Sequence, residues 1–165
     1  MPGIKKLLTT VAVLFSLDGS AQTFSLEQVN DSLSYLTLTT EGQVDRYLLP
    51  YPTLRWCTGD VNGDGREDAL VMVVKRTRYD KRLLPRLFTF QQVNGHVRPL
   101  WLGSQLGGIL EDFRFVDGQV MSLQSTTDGR YVVMTHKWRK FGLGADQILI
   151  QGVDKETALK VFLEK

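Results

Sequence analysis

Two adjoining segments decide how this sequence folds: Asp60-Val61-Asn62-Gly63-Asp64-Gly65-Arg66-Glu67-Asp68, and the apolar run Leu70-Val71-Met72-Val73-Val74. The second segment is rich in β-branched residues, which is typical of a buried strand. The first places side-chain oxygens at alternate positions and contains Gly65, a residue that permits a sharp turn. We therefore predict a central strand over Ala69 to Arg76, preceded by an oxygen-lined loop able to close around a hard cation.

The candidate ligands in this loop are Asp60, Asn62, Asp64 and Asp68. Carboxylate and amide oxygens are the ligands that Ca2+ prefers. An EF-hand begins with the same D-x-[DN]-x-[DN]-G pattern but requires a bidentate Glu at loop position twelve, which is Val71 here. The loop is therefore not an EF-hand. A turn rich in Asp and Asn that holds no metal is the alternative interpretation.

The segment from Thr58 to Val74 resembles the D-x-[DN]-x-D-G-x-x-D loop of FG-GAP and VCBS repeats, which are β-propeller blades of integrin-like and bacterial secreted proteins. The family contains tandem copies, whereas this sequence has a single copy, and one blade cannot bury its own face. A full propeller is therefore not expected. The resemblance implies four side-chain Ca2+ ligands and one carbonyl ligand: Asp60, Asn62, Asp64, Asp68 and the carbonyl of Arg66.

Residues 1–22 have the composition of a secretory signal peptide. Lys5 and Lys6 form a charged start, Leu7 to Leu17 is apolar, and small residues precede a cut near Gln22. A membrane anchor is the competing interpretation, but the apolar stretch is shorter than the ~20 residues that span a bilayer. The sequence predicts an exported protein, periplasmic or extracellular, with no membrane span.

Residues 23–165 suit one β-rich domain with a sizeable core. The formal net charge of +2 lacks the basic excess typical of a nucleic-acid-binding chain, so no nucleic-acid partner is expected. The single cysteine, Cys57, cannot form an intrachain disulfide, and we expect it to be a small buried residue.

Turn dipeptides of the hairpin type separate short β-rich runs, which favours an all-β, mainly antiparallel meander that is barrel- or sandwich-like. These dipeptides are Glu41-Gly42, Asn94-Gly95, Asp117-Gly118 and Asp128-Gly129. One short C-terminal helix is predicted over Asp154 to Leu163, where Asp154 caps an apolar stripe. The remaining predicted strands are Ser34 to Thr39, Gln43 to Leu49, Leu54 to Thr58, Arg86 to Val93, His96 to Leu102, Phe113 to Val116, Gln119 to Gln124, Tyr131 to Trp138 and Asp146 to Gln151.

No nucleophile elbow, zinc spacing, phosphate loop or dinucleotide fingerprint occurs in the sequence, so no catalytic or cofactor-binding residue is assigned. His96 and His136 are far apart in sequence, and Glu111-Asp112 is interpreted as a solvated loop. Two sets of basic and aromatic residues have the chemistry to bind acidic glycans or an anionic surface. They are Lys75, Arg76, Arg78, Tyr79, Lys81 and Arg82, and the run from His136 to Phe141.

These features predict an exported, calcium-binding, β-rich binding or interaction module that is not an enzyme and whose calcium is structural. The alternative is a carbohydrate-active enzyme or accessory subunit with an acidic substrate site. That alternative places Glu111 or Asp112 near the acidic loop and near an exposed Trp. A third hypothesis is a barrel that binds envelope lipid or polymer through these basic residues. The sequence identifies neither the protein or glycan partner nor the oligomeric state.

Overall fold

The computed structural model describes residues 21–103 and 105–165. These residues form three antiparallel sheets, each a meander of consecutive strands, followed by a helix. The N-terminal sheet contains β1 (Thr23–Asn30), β2 (Leu33–Thr40) and β3 (Gln43–Leu49). The central sheet contains β4 (Thr53–Gly59), β5 (Asp68–Lys75), β6 (Leu84–Val93) and β7 (His96–Leu102). The C-terminal sheet contains β8 (Ile109–Val116), β9 (Gln119–Ser125), β10 (Tyr131–Arg139) and β11 (Gly142–Val153), and helix α1 spans Lys155–Glu164.

The predicted fold class, an all-β antiparallel meander with a short C-terminal helix, is confirmed. Hairpin turns occur at the Gly-containing dipeptides that the sequence singled out. At Asn94-Gly95 and Asp117-Gly118 both residues have positive φ, between 51° and 78°. Paired positive φ values match the right-handed twist of the flanking strands, so these dipeptides set where each strand reverses.

Strand β5 explains how the sheets are layered, because its residues are buried on both faces. Ala69, Val71 and Val73 pack into the core shared with the N-terminal sheet, which contains Leu36, Leu38 and Phe24. Leu70 and Met72 pack into a second core, toward the C-terminal sheet, which contains Phe113 and Val120. The central sheet is therefore the middle layer, and the continuous apolar run beside the acidic loop is its innermost strand.

Helix α1 covers the outer face of the C-terminal sheet. Ala158 and Phe162 are buried there in a core with Met121, Leu123 and Val133. The Asp154 carboxylate accepts a hydrogen bond of 2.9 Å from the Thr157 amide, which confirms the predicted N-cap. Leu163, which the sequence assigned to the apolar stripe, is instead 65% exposed.

The structure also departs from several sequence predictions. Strand β1 was not predicted, because Phe24 is its only fully buried residue and its other positions are mostly exposed and polar. Glu111-Asp112 lies within β8 rather than in a loop, at an irregularity where the pairing with β9 shifts register. Residues 1–20 of the predicted signal peptide lie outside the described residues. Within the part that is described, no helix has the length and apolar character required to cross a bilayer.

Candidate metal-binding loop

The acidic loop connects β4 to β5 and is closed at its base by the β-ladder. Gly59, the last residue of β4, pairs with Asp68, the first residue of β5. The loop therefore begins and ends on two hydrogen-bonded strands of the central sheet. This arrangement brings the first and last acidic residues of the predicted set, Asp60 and Asp68, to the same end of the sheet.

Within the loop, the side-chain oxygens of three predicted ligands accept hydrogen bonds from the loop's own amides. The two oxygens of Asp60 accept from the amides of Asp64 at 3.0 Å and Gly65 at 2.8 Å. Asn62 Oδ1 also accepts from the Asp64 amide at 3.0 Å, and Asp64 Oδ1 accepts from the Arg66 amide at 2.9 Å. These bonds hold the chain in successive Asx turns, so the loop is shaped by its polar side chains.

Two glycines make this path possible. Gly63 has φ of 74° and Gly65 has φ of 82°, in the left-handed region that other residues adopt at a cost. A Cβ atom at either position would have no neighbouring atom within 4 Å, so the requirement for glycine is conformational rather than steric. Gly65 thus has the role that the sequence assigned to it.

Asp68 is buried, with 1% of its surface exposed. Its Oδ2 accepts a hydrogen bond of 3.0 Å from the Val61 amide. Burial raises the pKa of this carboxyl to about 7, and the nearby carboxylates of Asp64 and Asp60 add to the increase against the opposing effect of the Val61 amide. Among the described residues, no Lys, Arg or His forms an ion pair with Asp68.

The structure brings the predicted ligands into one loop, but it does not bring their carboxylates together. Within residues 21–103 and 105–165, no three His, Cys, Asp or Glu side chains are grouped closely enough to hold a metal ion. Asp60 and Asp64 contact backbone amides, and Arg66 is exposed. The donor set of carboxylate, amide and carbonyl oxygens nevertheless fits a hard cation in its chemistry, and Asp68 supplies a buried charge that lacks a cationic side-chain partner.

One side of the loop borders a concavity of about 440 Å³. The loop contributes Asp60 and Asn62, whereas the C-terminal sheet contributes Phe115, Asp117, Lys137 and Trp138. The loop therefore forms part of the wall of an open depression between two sheets.

The two sheets approach closely beside the loop because Gly59 has no side chain. A Cβ atom placed on Gly59 would lie 2.1 Å from Cδ1 of the Phe115 ring. Real Cβ atoms do not approach other atoms so closely, so Phe115 covers the backbone directly before Asp60. The identity of residue 59 therefore fixes how the C-terminal sheet sits against the start of the loop.

Glu111, Asp112 and Cys57 do not line this depression, whereas Lys137 and Trp138 of the second basic set do. Asp112 forms an ion pair of 2.9 Å with Arg55, and Glu111 accepts a hydrogen bond from Ser125; neither carboxylate lines the concavity. Cys57 is partly buried, and desolvation raises the pKa of its thiol to about 11, which fits the structural role expected of it.

The two histidines have separate surroundings, as their spacing in sequence suggested. His96 Nδ1 lies 3.1 Å from Asp45 Oδ1. His136 is 1% exposed, its Nε2 lies 2.8 Å from Ser122 Oγ, and burial lowers its pKa to about 4. Because Ser122 is itself fully buried, this pair is part of the interior of the C-terminal sheet and is closed to a substrate.

Comparisons of the chain with known protein families, curated proteins and solved structures found no match. The assignment of the site therefore depends on the chain's own residues. Sequence reasoning missed Gly59, Phe115, Asp117 and Trp138 as neighbours of the loop. Phe115, Asp117 and Trp138 come from a different sheet, so no local pattern associates them with residues 60–68.

Proposed function

We propose that this protein is an exported, calcium-binding, β-rich binding or interaction module in which Ca2+ stabilises the fold. Asp60, Asn62, Asp64 and Asp68 would hold the ion through their side chains, and Arg66 through its carbonyl. When bound, Ca2+ would neutralise the carboxylates at the start of β5. No catalytic residue is part of the proposal.

One observation carries the proposal: burial raises the pKa of the Asp68 carboxyl, the charges of Asp64 and Asp60 add to the increase, and no cationic side chain pairs with Asp68 among the described residues. A buried carboxylate without a cation is costly, and a bound cation removes that cost. Asp68 is also the first residue of the innermost strand, β5. A metal bound at Asp68 would fix the loop between β4 and β5 to the core, which is a structural role.

The test is a thermal melt of the metal-stripped protein titrated with Ca2+, beside Asp64→Ala. At Ca2+ about ten times its dissociation constant, mass action adds about 1.4 kcal/mol to the free energy of unfolding, or about 4 °C in Tm. The matched control is Asp31→Ala, an exposed Asp in the turn between β1 and β2. We expect the native protein and the control to respond to Ca2+ and Asp64→Ala to lose the response. No response in the native protein up to several millimolar Ca2+ would refute the proposal.

A second candidate function is that of a carbohydrate-active enzyme or accessory subunit. The concavity beside the loop favours it, because Trp138 and Phe115 offer aromatic surface next to polar groups. The positions of Glu111 and Asp112 argue against the catalytic version, since neither lines that concavity. A titration with neutral and acidic oligosaccharides, followed at the Trp138 indole NH by NMR, tests it. Saturable shifts at Trp138 that Trp138→Ala abolishes would support it, whereas unchanged shifts would exclude this concavity as a sugar site.

A further inference from the structure

A second cavity lies at the end of the central sheet where β5 turns into β6. Its volume is about 290 Å³, close to the lower size of small-molecule pockets. The side chains of the hairpin form its walls, and residues of β6 and β7 complete it. We call it the hairpin pocket; its lining is Lys75, Arg76, Thr77, Arg78 and Tyr79 from the hairpin, with Phe88 and Leu102.

The hairpin pocket carries a concentrated positive charge. Among the described residues, Lys75, Arg76 and Arg78 form no ion pair with a carboxylate. The one acidic residue of the hairpin, Asp80, instead lies 2.9 Å from both Arg82 and Arg86. The charge of the three lining cations is therefore not balanced by the hairpin itself, and an anion would complement it.

Two of these cations are already positioned by the protein. Lys75 Nζ lies 2.8 Å from the Tyr51 hydroxyl and 4.3 Å from the centre of the Tyr51 ring. Arg76 Nε donates a hydrogen bond of 3.0 Å to the Lys81 carbonyl. A ligand would find these groups partly ordered, so less side-chain entropy would be lost on binding.

The backbone of the turn is held as well. The Thr77 amide donates to the Asp80 carbonyl at 2.9 Å, and the Asp80 amide donates to Thr77 Oγ1 at 3.0 Å. These two bonds close the turn that presents Arg78 and Tyr79. The pocket wall is therefore a defined turn rather than a loose loop.

Apolar surface accompanies the charge. Tyr79 is 83% exposed and Leu102 is 49% exposed. A ligand that covered these two side chains would remove apolar surface from water, which is favourable. Phe88, whose ring packs edge-on against Tyr51 at 6.3 Å between ring centres, is part of the lining beside the core. A small ring with an apolar face would cover this surface while its charge meets the cations.

We infer that the hairpin pocket binds a carboxylate carried on a small ring. The carboxylate is held by Arg76, Arg78 and Lys75, and the ring lies against Tyr79 and Leu102. Such a ring is supplied either by an acidic sugar residue of a glycan or by a free cyclic carboxylic acid. The guanidinium group of Arg can donate two parallel hydrogen bonds to one carboxylate. Hydrogen-bond geometry, in addition to charge, therefore favours a carboxylate as the ligand group.

This site is independent of the proposed calcium site. The acidic loop ends at Asp68, the first residue of β5, whereas the hairpin pocket begins at Lys75, its last residue. At about 3.3 Å per residue, the two ends of this strand are roughly 25 Å apart. Ligand binding in the hairpin pocket should therefore not require Ca2+.

The test is an NMR titration of the 15N-labelled protein, in chelator, with three probes: trigalacturonic acid, the neutral trimer maltotriose, and benzoate. The variants are Arg76→Gln/Arg78→Gln and a control with the same change in charge, Lys155→Gln/Lys160→Gln, on the exposed face of α1. Vesicles of phosphatidylglycerol and phosphatidylcholine form a further arm, read by sedimentation.

We expect saturable shifts confined to residues 75–79, 88 and 102 with the acid trimer, with benzoate, or with both, and none with maltotriose. The trimer alone indicates a glycan source, and benzoate of equal or greater affinity indicates a free acid. The Arg pair variant should weaken binding at least tenfold, and the helix control less than twofold. No shifts in the pocket, equal weakening by both variants, or binding to the anionic vesicles alone would overturn the inference.

Discussion

The amide of Val61 donates a hydrogen bond of 3.0 Å to the carboxylate of Asp68, and this contact crosses the acidic loop at the start of β5. Both residues are buried, Val61 at 5% and Asp68 at 1% exposure. The loop is thus fixed to the core at the residue whose charge is hardest to accommodate. The response of the protein to substitution, pH and Ca2+ should follow from this arrangement.

Asp68→Asn should separate the effect of Ca2+ binding on stability from the effect of the buried charge. Asn retains an oxygen for the Val61 amide but has no ionisable carboxyl, so the calcium response should disappear. In chelator at pH 8, the free energy of unfolding should rise by up to about 4 kcal/mol, because a buried charge has been removed. Urea denaturation in chelator and in Ca2+ measures both effects. A variant that is less stable than the native protein in chelator would contradict this account of Asp68.

Protons and Ca2+ should compete for Asp68, since a carboxyl ligand must be ionised to bind a metal. With the pKa of Asp68 raised to about 7, the calcium dissociation constant should increase roughly tenfold between pH 8 and pH 6. Isothermal titration calorimetry at both pH values, in buffers of different ionisation enthalpy, also counts the protons released. A dissociation constant that does not change over this interval would mean that Asp68 binds no metal or is already ionised.

His136 should make the protein less stable in acid. Its pKa is lowered to about 4 in the folded state, so the unfolded chain takes up a proton first, near its ordinary value of 6.5. The contribution of His136 to the free energy of unfolding should therefore fall by about 3 kcal/mol as pH decreases from 7 to 4 and then level off.

In metal-free protein Asp68 acts in the opposite direction throughout this interval, because its pKa is raised from 3.8 to about 7 and the folded state therefore takes up a proton first as pH falls. His136→Gln isolates the histidine. The difference in unfolding free energy between native protein and variant should shrink steadily from pH 7 to pH 4. A constant difference would show that His136 is not responsible.

Gly59→Ala should destabilise the contact between the central and C-terminal sheets, because the new Cβ meets the Phe115 ring. Overpacking of this kind costs about 1 to 3 kcal/mol. Phe115→Ala should reduce that cost when combined with Gly59→Ala, and chemical denaturation of the four proteins gives the coupling energy. Additive effects would place the strain somewhere other than in this contact.

Sequence reasoning found the strands where turn chemistry is strong. The hairpin dipeptides at Asn94-Gly95 and Asp117-Gly118 set the limits of their neighbouring strands, because few other residues adopt positive φ. Strand β1 escaped prediction since only Phe24 and the half-buried Leu26 contribute to the core, and two apolar residues are too few to establish a periodicity.

The acidic loop was local enough to be predicted, and its turns are made by the residues that the spacing singled out. The neighbourhood of the loop was not. Phe115 and Trp138 reach it because two sheets pack together, and packing partners of this kind leave no mark in either segment. Likewise, the run Leu70 to Val74 indicated a buried strand, but not that different sheets cover its two faces.

The burial of β5 on both faces has a consequence for how the chain assembles. Each sheet is a meander of neighbouring strands, so each can form from a continuous piece of chain. The central sheet, however, has two apolar faces. These faces stay exposed and prone to association until the N-terminal and C-terminal sheets have packed against them. The folding intermediate most prone to aggregation should therefore be the one in which residues 53–102 have formed their sheet and residues 109–153 have not yet packed against it.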